Sequence, residues 1–202
     1  MDKNGINYLD NTERNKIQVL NAVRDRANAT RREVAALSGL SVSTSKRVVD
    51  SLQKDGVIIE VGRESATDEP SKRGRKARPL SLNPGFAHAI GLSIRPGMIE
   101  SCVLDLNGST ISVSNYPVGD NSREIVINEI KRITQETIDR MDNRGGRLLG
   151  VGVGIIGVVS AREGVVLYCP SLPGWEDTPL KSEIETGFRC DVIIDDSVSC
   201  RT

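Results

Sequence analysis

Aromatic side chains are scarce, at 3% of the 202 residues, so a core has to be assembled from the many Val, Ile and Leu, a composition that favours strands. No apolar run approaches the roughly 18 residues of a membrane span, and the first residues, MDKNGINYLDNTERNK, place no apolar segment behind their charges. Neither a membrane anchor nor a signal peptide is expected, and the chain reads as cytoplasmic. Histidine occurs once, at His88, and the four cysteines (Cys102, Cys169, Cys190 and Cys200) are widely spaced without a CxxC. That pattern argues against zinc and against a disulfide framework, and for plain small apolar thiols in a reducing compartment. Net charge is also lacking, but its absence hides an asymmetry. Residues 1–80 carry 16 Lys/Arg against 11 Asp/Glu, and residues 81–202 carry 11 against 16. A basic half joined to an acidic half suggests a polyanion-binding module attached to something else. At roughly 150 residues per domain the length allows one large domain or two small ones.

From Lys16 to Val61 the apolar residues fall at helical spacing. Ile17, Val19, Leu20 and Val23 form one stripe, Val34 and Leu37 a second, and Val48, Val49 and Leu52 a third. Thr30-Arg-Arg-Glu33 fits a capping box, Gly39 sits where the second helix must stop, and Ser41 offers a new N-cap two residues later. The third helix is expected to end near Asp55 at a left-handed Gly56, with Val57–Val61 as a strand. Residues 62–80, rich in charge, Ser and Pro, read as a basic linker, and a second domain follows over 81–202. There the pattern predicts strands at Ala87–Ile94, Met98–Leu106 and Thr110–Val118, with Asn107-Gly108 as a hairpin turn. A long helix over Ser122–Met141 follows, then a glycine-rich strand Leu148–Val159, a short helix Thr178–Gly187 and a buried strand Asp191–Ile194. This is a mixed α/β layer architecture behind a head of three helices and a strand.

Helices joined by a tight Gly turn, followed by a strand, predict a winged helix-turn-helix over residues 1–61 with its core at 16–61. Ser41, Ser43, Thr44, Lys46 and Arg47 fall at the start and on the outward side of the third helix, where small and basic groups suit base edges and phosphates. Arg31 and Arg32 open the preceding helix and are placed to touch the DNA backbone. The competing reading is a protein-interaction bundle with a solvated charged face. In the linker, Lys72-Arg73-Gly74-Arg75-Lys76 admits two readings, a minor-groove arm using Arg73 and Arg75 or a solvated tether extended by self-repulsion. The run Gly150–Gly157 is not promptly followed by a helix, so it does not read as a dinucleotide fingerprint. Trp175 reads as a packing residue. Asp195 and Asp196 are adjacent on a strand and face opposite ways, so they cannot work as a joint acid/base pair.

Several segments together resemble one family. TRREVAALSGLSVSTSKRVVDSLQKDG (Thr30–Gly56), GRKARPLSLNP, AHAIGLSI, Gly152–Val159, Cys169-Pro-Ser-Leu-Pro-Gly-Trp175 and Val192–Asp196 resemble the transcriptional repressors of the ROK family (repressor, open reading frame, kinase). The resemblance implies a winged helix-turn-helix followed by part of an actin-like, ribonuclease H-like sugar-kinase lobe. It also implies binding to double-stranded operator DNA, a sugar or sugar-derivative effector, and a homodimer or higher homo-oligomer at full length. By resemblance, Gly154, Gly157, Ser171, Leu172 and Asp196 are the ligand-contacting positions. Departures from the family pattern stand at Ser93, where kinases carry an acid, at Pro96, which lacks an N–H, and at Ile156, Ser171 and Asp195. They imply an inactive kinase lobe with no cofactor and no catalytic residue. Ser45 takes a recognition-helix position that is usually aliphatic. The family's zinc cluster and second lobe would lie beyond Thr202, so a fragment or truncated product is expected. A sugar kinase with an added N-terminal domain, or a nonfunctional truncated product, are the alternatives.

Overall fold

The computed structural model describes residues 10–62, 78–142, 145–188 and 190–197. The chain divides into two units, Met1–Asn83 and Pro84–Thr202.

The first unit holds α1 (Asn11–Asp25), α2 (Arg31–Ser38), α3 (Val42–Lys54), β1 (Ile58–Glu60) and β2 (Leu80–Leu82). The local signals at α2 act as expected. Thr30 N–H and Oγ both donate to Glu33 Oε2, at 2.8 and 2.9 Å, and the Glu33 N–H returns to Thr30 Oγ at 3.4 Å. These bonds hold the Glu33 carboxyl below the usual range, the backbone bond from Thr30 contributing most. Gly39 ends α2 at φ +68°, and Gly56 follows α3 at φ +78°, a left-handed geometry that costs a glycine nothing. Val48, Val49 and Leu52 are buried on α3, as their spacing predicts.

Four expectations about this unit need correction. The first helix begins at Asn11, five residues before Lys16. Its buried face is Val19, Ala22 and Val23, while Ile17 is 44% exposed. On α2 the buried residues are Val34, Ala35 and Ser38, and Leu37 is 51% exposed, because small side chains let α2 approach its neighbours and turn Leu37 outward. Finally, the expected linker ends in a strand of the first unit, at Leu80, and its residues 63–77 fall outside the described residues. β1 pairs antiparallel with β2 (Ile58↔Leu82, Glu60↔Leu80), and the Val61 N–H donates to Pro79 O at 3.0 Å. The segment therefore connects the two strands of a wing inside the first unit, and the boundary moves from residue 81 to Asn83/Pro84. At that exit Asn83 is anchored on the turn after α3. Its N–H donates to Val57 O at 2.8 Å and its side-chain amide to Gly56 O at 2.9 Å.

The second unit comprises β3 (Ala87–Arg95), β4 (Met98–Asp105), β5 (Thr110–Pro117), α4 (Arg123–Asp142), β6 (Arg147–Ile155), β7 (Val158–Ser160), β8 (Val165–Tyr168), α5 (Leu180–Glu185) and β9 (Asp191–Asp196). Its main sheet has the order β5-β4-β3-β6-β9. The β3–β4–β5 meander is antiparallel, and β6 and β9 run parallel to β3. Alternation puts Ile90, Leu92 and Ile94, Val151, Val153 and Ile155, and Val192 and Ile194 on one face. There they pack in one core with Val126, Ile130 and Ile133 of α4 and Leu180 and Ile184 of α5. Trp175 is fully buried in the same core, its indole N–H directed at Asn121 O at 3.4 Å. The glycine-rich strand is shorter than expected. It stops at Ile155, and Val158–Ser160 leaves to pair with β8.

Candidate nucleic-acid interface and effector site

The head presents α3 by its N-terminal end. Ser41 caps the helix, accepting the Thr44 N–H at 3.1 Å, and its hydroxyl lies 3.0 Å from Ser43 Oγ and 2.8 Å from Thr44 Oγ1. Ser43, Lys46 and Arg47 are exposed and Thr44 is half-buried. Ser43 and Arg47 stand one turn apart, with Val42 and Lys46 on the flank beside them. Each of α1, α2, α4 and α5 carries a glutamate in its first turn, and α3 carries no acid there. The positive end of its dipole is thus left for an outside anion.

Arg32 is exposed, but Arg31 is engaged within the unit. Its guanidinium donates to Asp50 at 2.6 Å and to Gln53, and lies 3.6 Å from Glu60. It ties the start of α2 to the far end of α3 and to the wing. Arg73 and Arg75 fall outside the described residues, within the segment that joins β1 to β2. Ser45 is 1% exposed, and its hydroxyl has no hydrogen-bond partner among the described residues. Ser38, the other serine buried among the described residues of the head, donates to Ala35 O at 3.2 Å.

In the second unit the expected ligand positions divide. Gly154 pairs in register with Ser93 and Asp195 on the sheet face opposite α4 and α5. Those residues line an open hollow of about 390 Å³ with Arg95, Glu100 and Ser197. Arg95 is ion-paired to Glu100 there. Gly157, Ser171 and Asp196 lie instead around the carboxyl ends of β6 and β9, where open α/β sheets bind their ligands. A Cβ on Gly157 would collide with the Tyr168 carbonyl oxygen, so glycine is required for β7 and β8 to close. The Cys169 thiol donates to Ile156 O at 2.9 Å and sits 3.6 Å from Ser171 Oγ, which holds the Cys169–Ser171 segment to the same turn. Asp196 is half-buried on the helix-covered side, and its N–H donates to Asp195 Oδ1 at 2.9 Å. Leu172 is buried in the core.

The β3–β4 turn bears on phosphate binding. Pro96 supplies no N–H, and the Gly97 N–H is taken by Asn121 Oδ1 at 2.7 Å. The residues present do not fit a nucleotide-phosphate cradle.

Comparison with known proteins agrees with this layout. The ROK family model matches residues 89–202, more than half of the sequence. The chain belongs to the ROK family. A winged helix-turn-helix DNA-binding model matches residues 12–59, the head described above. Among curated relatives, the xylose repressor of Caldicellulosiruptor bescii is 25% identical over 92% of this chain and 45% of its own length. The xylose repressor of Bacillus spizizenii is 25% identical over 92% and 46%. The crystal structure of a ROK family transcriptional regulator, homologous to the Escherichia coli Mlc protein, superposes with a TM-score of 0.66 at 18% identity. It covers 90% of this chain and 46% of that one, and shows the shared fold. This ROK chain therefore spans about half the length of the curated relatives it matches. Among the described residues no helix is long and apolar enough to cross a membrane.

Three features of this ROK site escaped the sequence reading: the internal engagement of Arg31, the burial of Leu172 and the Arg95–Glu100 pair. The last has a signal, because opposite charges flank a Pro-Gly turn. The first has none, because Asp50, Gln53 and Glu60 come from distant elements.

Proposed function

We propose that this chain is the DNA-binding and sugar-sensing part of a transcriptional repressor, acting by sequence-specific binding to double-stranded operator DNA. The observation that carries the reading is the start of α3. It is capped by Ser41, carries no carboxylate, exposes Ser43, Lys46 and Arg47, and is fixed from behind by Val48, Val49 and Leu52. Arg47 is suited to a guanine edge, while the hydroxyls and Arg32 are suited to phosphates. Arg73 and Arg75, by their place between the wing strands, act on the adjacent minor groove.

The effector is xylose or a related sugar, in keeping with the names of the relatives. It is held around Gly157, Ser171 and Asp196, with Gly154 on the neighbouring strand. The lobe performs no phosphoryl transfer, since Ser93 stands in place of an acid and the β3–β4 turn lacks free donors. Full-length copies pair, so that two α3 helices meet half-sites about one helical turn apart. Sugar binding favours an arrangement that loses this match, and DNA affinity falls by linkage.

Fluorescence anisotropy tests the proposal with duplex from the region upstream of the coding sequence, scrambled duplex, two salt concentrations and a panel of pentoses and hexoses. Preference for the upstream duplex that survives added salt, relieved by one sugar, is expected. Equal binding to both duplexes that vanishes with salt would refute it.

A further inference from the structure

We propose that Val42 reads a thymine, its isopropyl group meeting the C5-methyl of that base in the major groove. The inference rests on the DNA-binding reading above and deepens it by assigning a specificity-determining residue. Val42 is the first residue of α3 and is 73% exposed, the most exposed large apolar side chain among the described residues. It has no packing task, because the core face of α3 is Ser45, Val48, Val49 and Leu52. Nor is it there for the helix, since a β-branched residue is a middling helix former and the first turn favours acids. The hydroxyls around it are drawn together, Ser41 with Ser43 and with Thr44, leaving the isopropyl group as the apolar surface at the tip of the helix.

Only one base edge in the major groove offers an apolar partner, and that is thymine with its methyl group. Val42 and Lys46 are one turn apart, and Arg47 is adjacent to Lys46. A thymine under Val42 would therefore neighbour the positions read or neutralised by the basic pair. Among the base edges of the major groove an aliphatic side chain has no other apolar partner.

The test selects preferred duplexes for the 202-residue chain from a random-sequence library, then replaces each thymine in turn by deoxyuridine, which lacks only the methyl. At one position the replacement should weaken binding about fourfold, the equivalent of one buried methyl-sized group. Val42→Ala should lose a similar factor on the thymine duplex and show no further loss on the deoxyuridine duplex. Val42→Thr, which keeps one methyl at nearly the same shape, should fall between. Because the side chain is exposed, the variants should retain the parent's thermal transition, which separates a lost contact from a lost fold. A selected site with no methyl effect that depends on residue 42 overturns the assignment and leaves the DNA-binding reading standing. Failure of the library to yield any preferred site overturns both.

Discussion

Replacing Ser45 by alanine should stabilise the head, the reverse of what truncating a buried residue usually does. Ser45 is 1% exposed on the core side of α3, and its hydroxyl finds no partner among the described residues. A hydroxyl buried without a hydrogen bond costs about 1–3 kcal/mol. Removing it also gains a few tenths of a kcal/mol in helix propensity. Against this stands the loss of one oxygen's dispersion contacts, about 0.1–0.2 kcal/mol for each atom pair. The net expectation is about 1–2 kcal/mol in favour of Ser45→Ala. Hydrogen exchange on peptides from α1–α3 reads the head separately from the second unit, and protection there should rise about five- to thirtyfold. Ser38→Ala is the control, since its hydroxyl already bonds Ala35 O at 3.2 Å and its removal should be close to neutral. If Ser45→Ala lowers protection or leaves it unchanged, the hydroxyl is satisfied and the reasoning fails.

Other outcomes follow from the same geometry. Arg47→Ala should weaken specific binding by about 1–3 kcal/mol with loss of base preference, whereas Arg73→Ala should weaken all duplexes alike and flatten the salt slope. Equal effects from both would refute that division, and titrations at several salt concentrations decide it. Thr30→Ala should cost about 1 kcal/mol by opening the capping box, seen as faster exchange in α2. The lowered Glu33 carboxyl stabilises α2 above the pKa of an unfolded glutamate and loses that contribution as pH falls through the folded value. Acid loosening of α2 should therefore be reduced in Glu33→Gln, checked by exchange across pH 3–6. Gly157→Ala should destabilise the second unit by several kcal/mol, because its Cβ meets the Tyr168 carbonyl, while Gly174→Ala meets nothing but its own left-handed φ of +82° and should cost about 1 kcal/mol. Urea unfolding followed by the buried Trp175 measures both.

Local chemistry made much of this fold legible. The Thr30–Glu33 box, Gly39, the Ser41 cap and Gly56 are contacts within a few residues, and each lies where the sequence puts it. The three strands of the meander and the long helix were equally readable from period and turn residues. What escaped was non-local. β2 is three residues long and reads as the end of a charged stretch, because its partner β1 lies some twenty residues earlier. Leu37 has the size of a core residue, but fit decides the face, and α2 buries Ala35 and Ser38 to come close. In the glycine-rich run, residues 150, 152 and 154 keep the parity of one strand face and 157 breaks it, which is where the strand ends. Of the candidate site, the start of α3 was readable from cap and charge. The division of the ligand positions between the two sheet faces was not, since it depends on the register of β6 with β9.

The anchoring of Asn83 makes the end of the first unit part of the turn that closes α3. Here the backbone that leaves for Pro84 is pinned by two hydrogen bonds to Gly56 and Val57, the residues that close α3. The last residue of the first unit is thereby held to the turn after α3, and fraying of the chain at Asn83 would free the carbonyls of Gly56 and Val57 as well.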